Sequence, residues 1–343
     1  MNMMTSELKF LLELTKDIYK VPKILDYKSV DLTSFIKLAN DNKILYYIVN
    51  KILEADEKIN GNKPPPMIHN LYKIENNKHE VLKKTIRVIN KVLKGEKYLI
   101  TKTYRGFPYV THDVDILVEN HKMAWRKFNK YRSSSFLSPN QHSIIIEPPG
   151  LQDIEIHDKI LPGRLSFLCK EFVWKKNRIG LWGEITGPIP SVEAEILMFL
   201  ADMQFRAFEL SLGDFFYLLN LSSSADWKII LSQASKMQWK NALINTVASI
   251  NGMHRNIYDE PSPIEYAIPQ VNNINLKFPY IPPLPIIISS LKEKGKINLL
   301  KIPSYLSVRL KYDYTSLHRA YIKLVFGDVA EFLAKYLYFY HKK

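Results

Sequence analysis

Hydrophobic and polar positions recur with two different periods along this chain, and the changes of period divide it. Up to about Ala55 the apolar residues follow helical spacing. Phe10, Leu11, Leu14 and Ile18 fall on one face of a helix that Ser6 can cap. Asp31 is placed to cap a second helix carrying Leu32, Phe35, Ile36 and Leu38. Asp41-Asn42 breaks that run before the apolar stretch from Ile44 to Val49. The segment from Asn60 to Pro66, with Gly61 and three prolines, has the composition of a loop. A long helix is predicted from about Met67 to Leu93, with Ile74, Val81, Ile86, Ile89 and Val92 as its buried stripe. Gly95 can end it.

Beyond Gly95 the period shortens. Tyr98 to Thr101 is a short β-type run, Arg105-Gly106-Phe107-Pro108 a turn or loop, and Asp113 to Val118 a second strand. His121 to Tyr131, with Met123, Trp125 and Phe128, has helical spacing. Ser143 to Glu147 and Leu151 to His157 are strands, and Pro148-Pro149-Gly150 joins them into a hairpin. From Ser191 the pattern is helical again. Ser191 to Glu195 opens one helix with a cap and early acids, Gly213-Asp214 a second with Asp214 as its cap, and Ala225-Asp226-Trp227 a third. Pro261-Ser262-Pro263 and the prolines from Pro279 to Pro285 flank a linker. The tail from about Tyr305 is helical, basic and rich in tyrosine. Its spacing suits packing on a core, and it could also grip single-stranded nucleic acid. The expected class is α+β, a small mixed β-sheet at 95–190 flanked by helical regions. The helical regions are 1–94 and 191–255, and 256–343 holds the linker and basic tail.

Composition narrows the class without choosing a function. A chain of 343 residues with 46% hydrophobic and 24% charged residues has the means to build a globular core. Its net charge of +14 favours polyanionic partners such as RNA or nucleotides, although lysine used for solubility gives the same number. The one cysteine, Cys169, excludes an intramolecular disulfide and a cysteine zinc cage; its neighbours suggest a small buried hydrophobe. The N-terminus lacks a signal-peptide pattern, and the apolar stretches at Pro282–Ile288 and Tyr336–Tyr340 are too short to span a bilayer. A soluble cytoplasmic protein without membrane insertion is expected. Neither a P-loop nor a Gly-x-Ser-x-Gly elbow is present.

The chemistry concentrates in Thr111-His112-Asp113-Val114-Asp115-Ile116-Leu117-Val118. Alternate strand residues face the same way, so Asp113 and Asp115 share one side and His112 faces away from Asp113. Two carboxylates side by side on an apolar strand repel each other and lose hydration, and a cation is the natural compensation. Oxygen ligands of this kind suit Mg²⁺, or Mn²⁺. A lone Asp-x-Asp is more often a solvated edge, but Ile116-Leu117-Val118 argues for a buried central strand. Asp153, Glu155 and His157 share a face of the hairpin strand. If that strand pairs with the first, a third carboxylate completes a two-metal site for in-line phosphoryl transfer. His157 is equally a contact to metal or substrate and a polar strand-end residue.

The run Tyr98 to Thr103, a loop, and then Thr111 to Val118 resembles the core motif of polymerase-β-like nucleotidyltransferases. The similarity is greatest to a broad bacterial and archaeal group with a Lys-Gly turn and a late Asp-x-His strand. Asp31 to Leu53 resembles that group's helical lead-in, and Gly213 to Ala234 its trailer, so the likeness covers roughly residues 30–250. The resemblance implies that Asp113, Asp115 and Glu155 bind the metals and that Glu155 helps deprotonate an acceptor hydroxyl. It also implies that Lys102 and Thr103, with Arg105 nearby, contact nucleotide phosphates, and that Asp153 and His157 are accessory. Three departures stand out. Thr103 replaces the usual glycine, Glu155 the usual aspartate, and Tyr109-Val110 a stretch where arginine is common.

The expected function is Mg²⁺-dependent transfer of a nucleoside monophosphate from an NTP to a hydroxyl on RNA or tRNA, a protein or a small molecule. A toxin that disables tRNA or a partner protein would share this core. The alternatives are a catalytically degenerate module that binds nucleotide or nucleic acid, and a metal-dependent phosphohydrolase.

Overall fold

A computed structural model of the protein describes residues 6–15, 30–60, 63–128, 131, 134–137, 143–160, 168–203, 211–237 and 239–268. Ile18 and the basic tail lie outside them. The N-terminal helices are α1 (Ser6–Thr15), α2 (Leu32–Asp41), α3 (Leu45–Glu54), which runs on as a π-helix over Ala55–Asn60, and α4 (Pro66–Val92). The sheet region follows as β1 (Tyr98–Thr101), β2 (Asp113–Val118), α5 (His121–Lys127), β3 (Ser134–Leu137), β4 (Ser143–Glu147) and β5 (Asp153–His157). Then come α6 (Lys170–Lys175), β6 (Asn177–Trp182) and β7 (Ile185–Pro190). Helices α7 (Val192–Asp202), α8 (Leu212–Ser222), α9 (Trp227–Lys236), α10 (Lys240–Tyr258) and α11 (Pro263–Ala267) complete the described chain.

The class is α+β, as expected. Five strands form one sheet in the order β1-β2-β5-β4-β3, and β6-β7 form a separate hairpin. Within the larger sheet β2 pairs with β5 in parallel and every other pairing is antiparallel, so the sheet is mixed. Strand β2 lies inside it, as its apolar run requires. The expected turn joins β4 to β5, with Gly150 at φ +68° and the Leu151 N–H donating to the Pro148 carbonyl at 3.3 Å.

The two faces of the sheet belong to two cores. Ile100, Val114, Ile116, Ile146, Ile154 and Ile156 pack beneath Leu82, Ile86 and Ile89 of α4, Ala124 of α5 and Phe128 just after it. Leu99 and Leu117 face the other way and join a larger core built from both the N-terminal and C-terminal helices. The hairpin β6-β7 lies against β1 because Gly187 leaves room; a Cβ there would sit 2.8 Å from Ile100 Cδ1.

Capping is local chemistry and follows the sequence. Asp31 accepts from the Thr33 N–H, Ser191 from Ala194, and Asp226 from Lys228 and Ile229. Four expectations need correction. Asp214 is not a cap: Ser211 caps α8 by accepting from the Asp214 N–H and donates its own hydroxyl to the Asp214 carboxylate. Ile74 is exposed rather than part of the α4 stripe, because α4 serves two cores in turn. Ile68 faces the helices and Leu82, Ile86 and Ile89 face the sheet, so no single stripe runs its length. The helix after Asn120 stops at Lys127, short of Tyr131. Part of the linker is helical, as α11. Among the described residues no helix is long and apolar enough to cross a membrane.

Candidate metal centre

The parallel pairing of β2 with β5 sets Asp113 opposite Asp153, Asp115 opposite Glu155 and Leu117 opposite His157. Paired residues of adjacent strands project to the same side. Val114, Ile116, Ile154 and Ile156 are fully buried on the reverse side, which fixes the direction of the acids. Both Asp-x-Asp and Asp-x-Glu-x-His thus stand on one face, as their alternation required.

Three of these side chains converge. One ligand atom each from Asp115, Glu155 and His157 lies within 4.8 Å of the others. His157 Nε2 is 3.0 Å from Asp115 Oδ1 and 3.6 Å from Glu155 Oε1. All three are partly buried, with side-chain exposures of 19–24%. Asp113 and Asp153 form the preceding rank toward the strand starts, and both are exposed. Thr111 Oγ1 donates to Asp113 at 3.3 Å. The structure therefore groups two carboxylates with an imidazole, and leaves Asp113 beside that trio rather than in it.

The electrostatics are those of crowded acids. Burial raises the Glu155 carboxyl above its ordinary range; His157 pulls it back, and Asp115 and Asp113 push it further up. Burial alone would lower the His157 imidazole, but the hydrogen bond and charge of Asp115, joined by Glu155, outweigh it and the net shift is upward. Burial, then Glu147, raises Asp153. Asp115, Glu155 and His157 stand close enough together for one ligand atom of each to reach a single ion. The carboxylate oxygens of Asp115 and Glu155 suit Mg²⁺ or Mn²⁺.

The residues expected at the nucleotide separate here. Lys102 leaves β1 in the left-handed region at φ +58°, an uncommon conformation for a side-chain-bearing residue. Its ammonium is 3.3 Å from Asp202 on α7 and lies near enough to His157 to oppose protonation there. Thr103 is buried, and its hydroxyl donates to the Thr101 carbonyl at 3.0 Å. Arg105 is buried as well. It pairs with Asp214 at 2.8 Å, and its guanidinium lies 4.1 Å from the Phe199 ring centroid and 5.0 Å from those of Tyr109 and Tyr217. Lys102 alone of the three borders the acids.

Two neighbours were not anticipated. Asp202 meets Lys102 across the fold, a contact no local pattern could reveal. Ser143 starts β4 opposite His157 and is fully buried. Its hydroxyl lies near enough to favour the ionised form of Glu155, yet has no partner in hydrogen-bond geometry among the described residues. Its place on the acid face was readable from the hairpin alternation. Cys169 corrects an expectation: it is half-buried at the start of α6, and its thiol donates to Glu171 at 2.6 Å.

No family model matches the chain, no curated protein matches it, and no solved structure matches it. The chemistry of the site rests on its own geometry.

Proposed function

We propose that this protein is a metal-dependent nucleotidyltransferase that moves a nucleoside monophosphate from an NTP to a hydroxyl acceptor. The observation that supports it most is the register of β2 on β5, which stacks Asp113 and Asp115 against Asp153 and Glu155 on one face. Asp113, Asp115 and Glu155 would hold Mg²⁺ or Mn²⁺. Bound there, the ions supply charge neutralisation and in-line alignment of the attacking oxygen. Glu155, on the same face as the other acids, would also accept the proton of the acceptor hydroxyl. Lys102 brings positive charge to the edge where NTP phosphates would lie. The net charge of +14 makes RNA, including a tRNA end, the favoured acceptor, ahead of a protein or a small molecule. The cytoplasm is the compartment this reading requires.

A second reading has its own support. With Thr103 and Arg105 enclosed by the fold, fewer groups are left for phosphates, which favours a module that binds nucleotide or nucleic acid without turnover. A label-transfer assay separates the readings, using Mg²⁺ or Mn²⁺, each α-labelled NTP, and total RNA or the protein itself as acceptor. Label on RNA or protein that disappears in Asp113→Ala/Asp115→Ala is the expected result. Binding without transfer selects the module. Release of free phosphate with no labelled acceptor selects a phosphohydrolase.

A further inference from the structure

We infer that His157 is itself a metal ligand and that this centre selects a divalent first-row transition ion, with Mn²⁺ as its probe, over Mg²⁺. The inference rests on the metal-holding part of the proposed function and not on nucleotide transfer.

Three observations carry it. First, Nε2 of His157 faces the carboxylates, at 3.0 Å from Asp115 and 3.6 Å from Glu155. Without an ion the 3.0 Å contact is a hydrogen bond to Asp115, and an ion that takes Nε2 displaces its proton to solvent; the spacings are those of ligand atoms around one ion, each a little over 2 Å from it. Second, the donor set is mixed, with two carboxylates and one imidazole. Mg²⁺ demands oxygen donors and dehydrates reluctantly, whereas imidazole is a good ligand for transition ions. Third, the fully buried Ser143 hydroxyl projects from the neighbouring strand on the same face, opposite His157 and near Glu155, with no partner in hydrogen-bond geometry among the described residues. A hydroxyl so placed can meet a water on the ion, since buried polar groups ordinarily find a partner. The backbone pairing of β5 with both β2 and β4 fixes all four residues, so the donors are positioned before any ion arrives.

The test uses the full-length protein and metal alone, without nucleotide. Mn²⁺ binding is followed by electron paramagnetic resonance, and Mg²⁺ is titrated as competitor. Pulsed measurements then look for modulation from a directly bound ¹⁴N nucleus. Expected is Mn²⁺ binding that Mg²⁺ displaces only in large excess, with ¹⁴N modulation present. His157→Gln should lose the modulation and weaken Mn²⁺ by at least the roughly tenfold that a lost outer partner costs, while Mg²⁺ changes little. Asp115→Asn should abolish the same signal, so the assignment does not depend on one variant folding well. Mn²⁺ bound without ¹⁴N modulation, equal preference for the two ions, or no Mn²⁺ binding at all would each overturn the inference. Transfer with Mg²⁺ but no nitrogen coupling keeps the proposed activity and sinks this inference. Nitrogen coupling with no transfer does the reverse.

Discussion

Arg105 shows how a residue can be chosen by sequence for one role and held by the fold in another. Its guanidinium is 5% exposed and pairs with Asp214, which also takes Lys43 at 3.1 Å and the Ser211 hydroxyl. Removing one partner of a buried pair leaves the other charge uncompensated, at a cost of about 3–5 kcal/mol. Asp214→Ala should therefore lower unfolding stability by about 3 kcal/mol, read from urea midpoints at neutral pH. Acidity gives a second check. Burial would raise the Asp214 carboxyl, but Arg105 and Lys43 outweigh it and hold it below its ordinary value of 3.8. A depressed carboxyl contributes stability above its unfolded pKa and loses it as pH falls through the folded one. The gap between wild type and Asp214→Asn should be full at neutral pH and close on acidification below about pH 4. A gap that persists unchanged into acid would deny the ion pair this role. None of this was legible from Arg105 itself, because its partner lies 109 residues further along the chain. The facing of Asp113 and Asp115 was legible, because strand alternation is a property of adjacent residues.

Among elements, the same substitution should act with opposite signs at two glycines. Gly213 opens α8 against the turn between α2 and α3. Its N–H donates to the Asn42 carbonyl at 3.0 Å, and a Cβ would lie 3.0 Å from the Lys43 carbonyl and 3.1 Å from that of Asn42. Those neighbours are backbone and give little, so Gly213→Ala should cost about 1–3 kcal/mol. Gly252 lies within α10, where a Cβ meets nothing within 4 Å among the described residues. Gly252→Ala should add about 0.8–1 kcal/mol through helix propensity. Thermal unfolding of the pair, measured side by side, decides the point; equal effects would mean that the α8 contact is not tight. Elements were legible where their signals are local, as with the caps at Asp31, Ser191 and Asp226 and the Pro148–Gly150 turn. The β6-β7 hairpin went unforeseen because its pattern is inverted, with Ile179 and Leu181 outward at 60% and 57% exposure. The α4 stripe is not legible from spacing because one helix serves two cores, and the fold leaves Ile74 in water.

For the whole molecule, the question is whether the sheet region at 95–190 stands alone. Each face of its sheet is completed from elsewhere. Helix α4, before Gly95, supplies Leu82, Ile86 and Ile89 to one side, and its C-cap Leu93 joins them. Leu99 and Leu117 on the other side join a core shared with α1–α3 and α7–α11. The Lys43–Asp214–Arg105 contacts then tie the N-terminal helices, the loop between β1 and β2, and α8 at one point. A fragment of 95–190 would expose both apolar faces to water, and a sheet of this size needs a covering layer to be stable. Expressed alone, it should show no cooperative thermal transition and bind no Mn²⁺, while the full chain does both. A fragment that melts cooperatively and binds Mn²⁺ would place the metal centre in a self-sufficient sheet. Failure of the fragment beside success of the full chain would mean that the helices on either side are part of what holds Asp115, Glu155 and His157 in register.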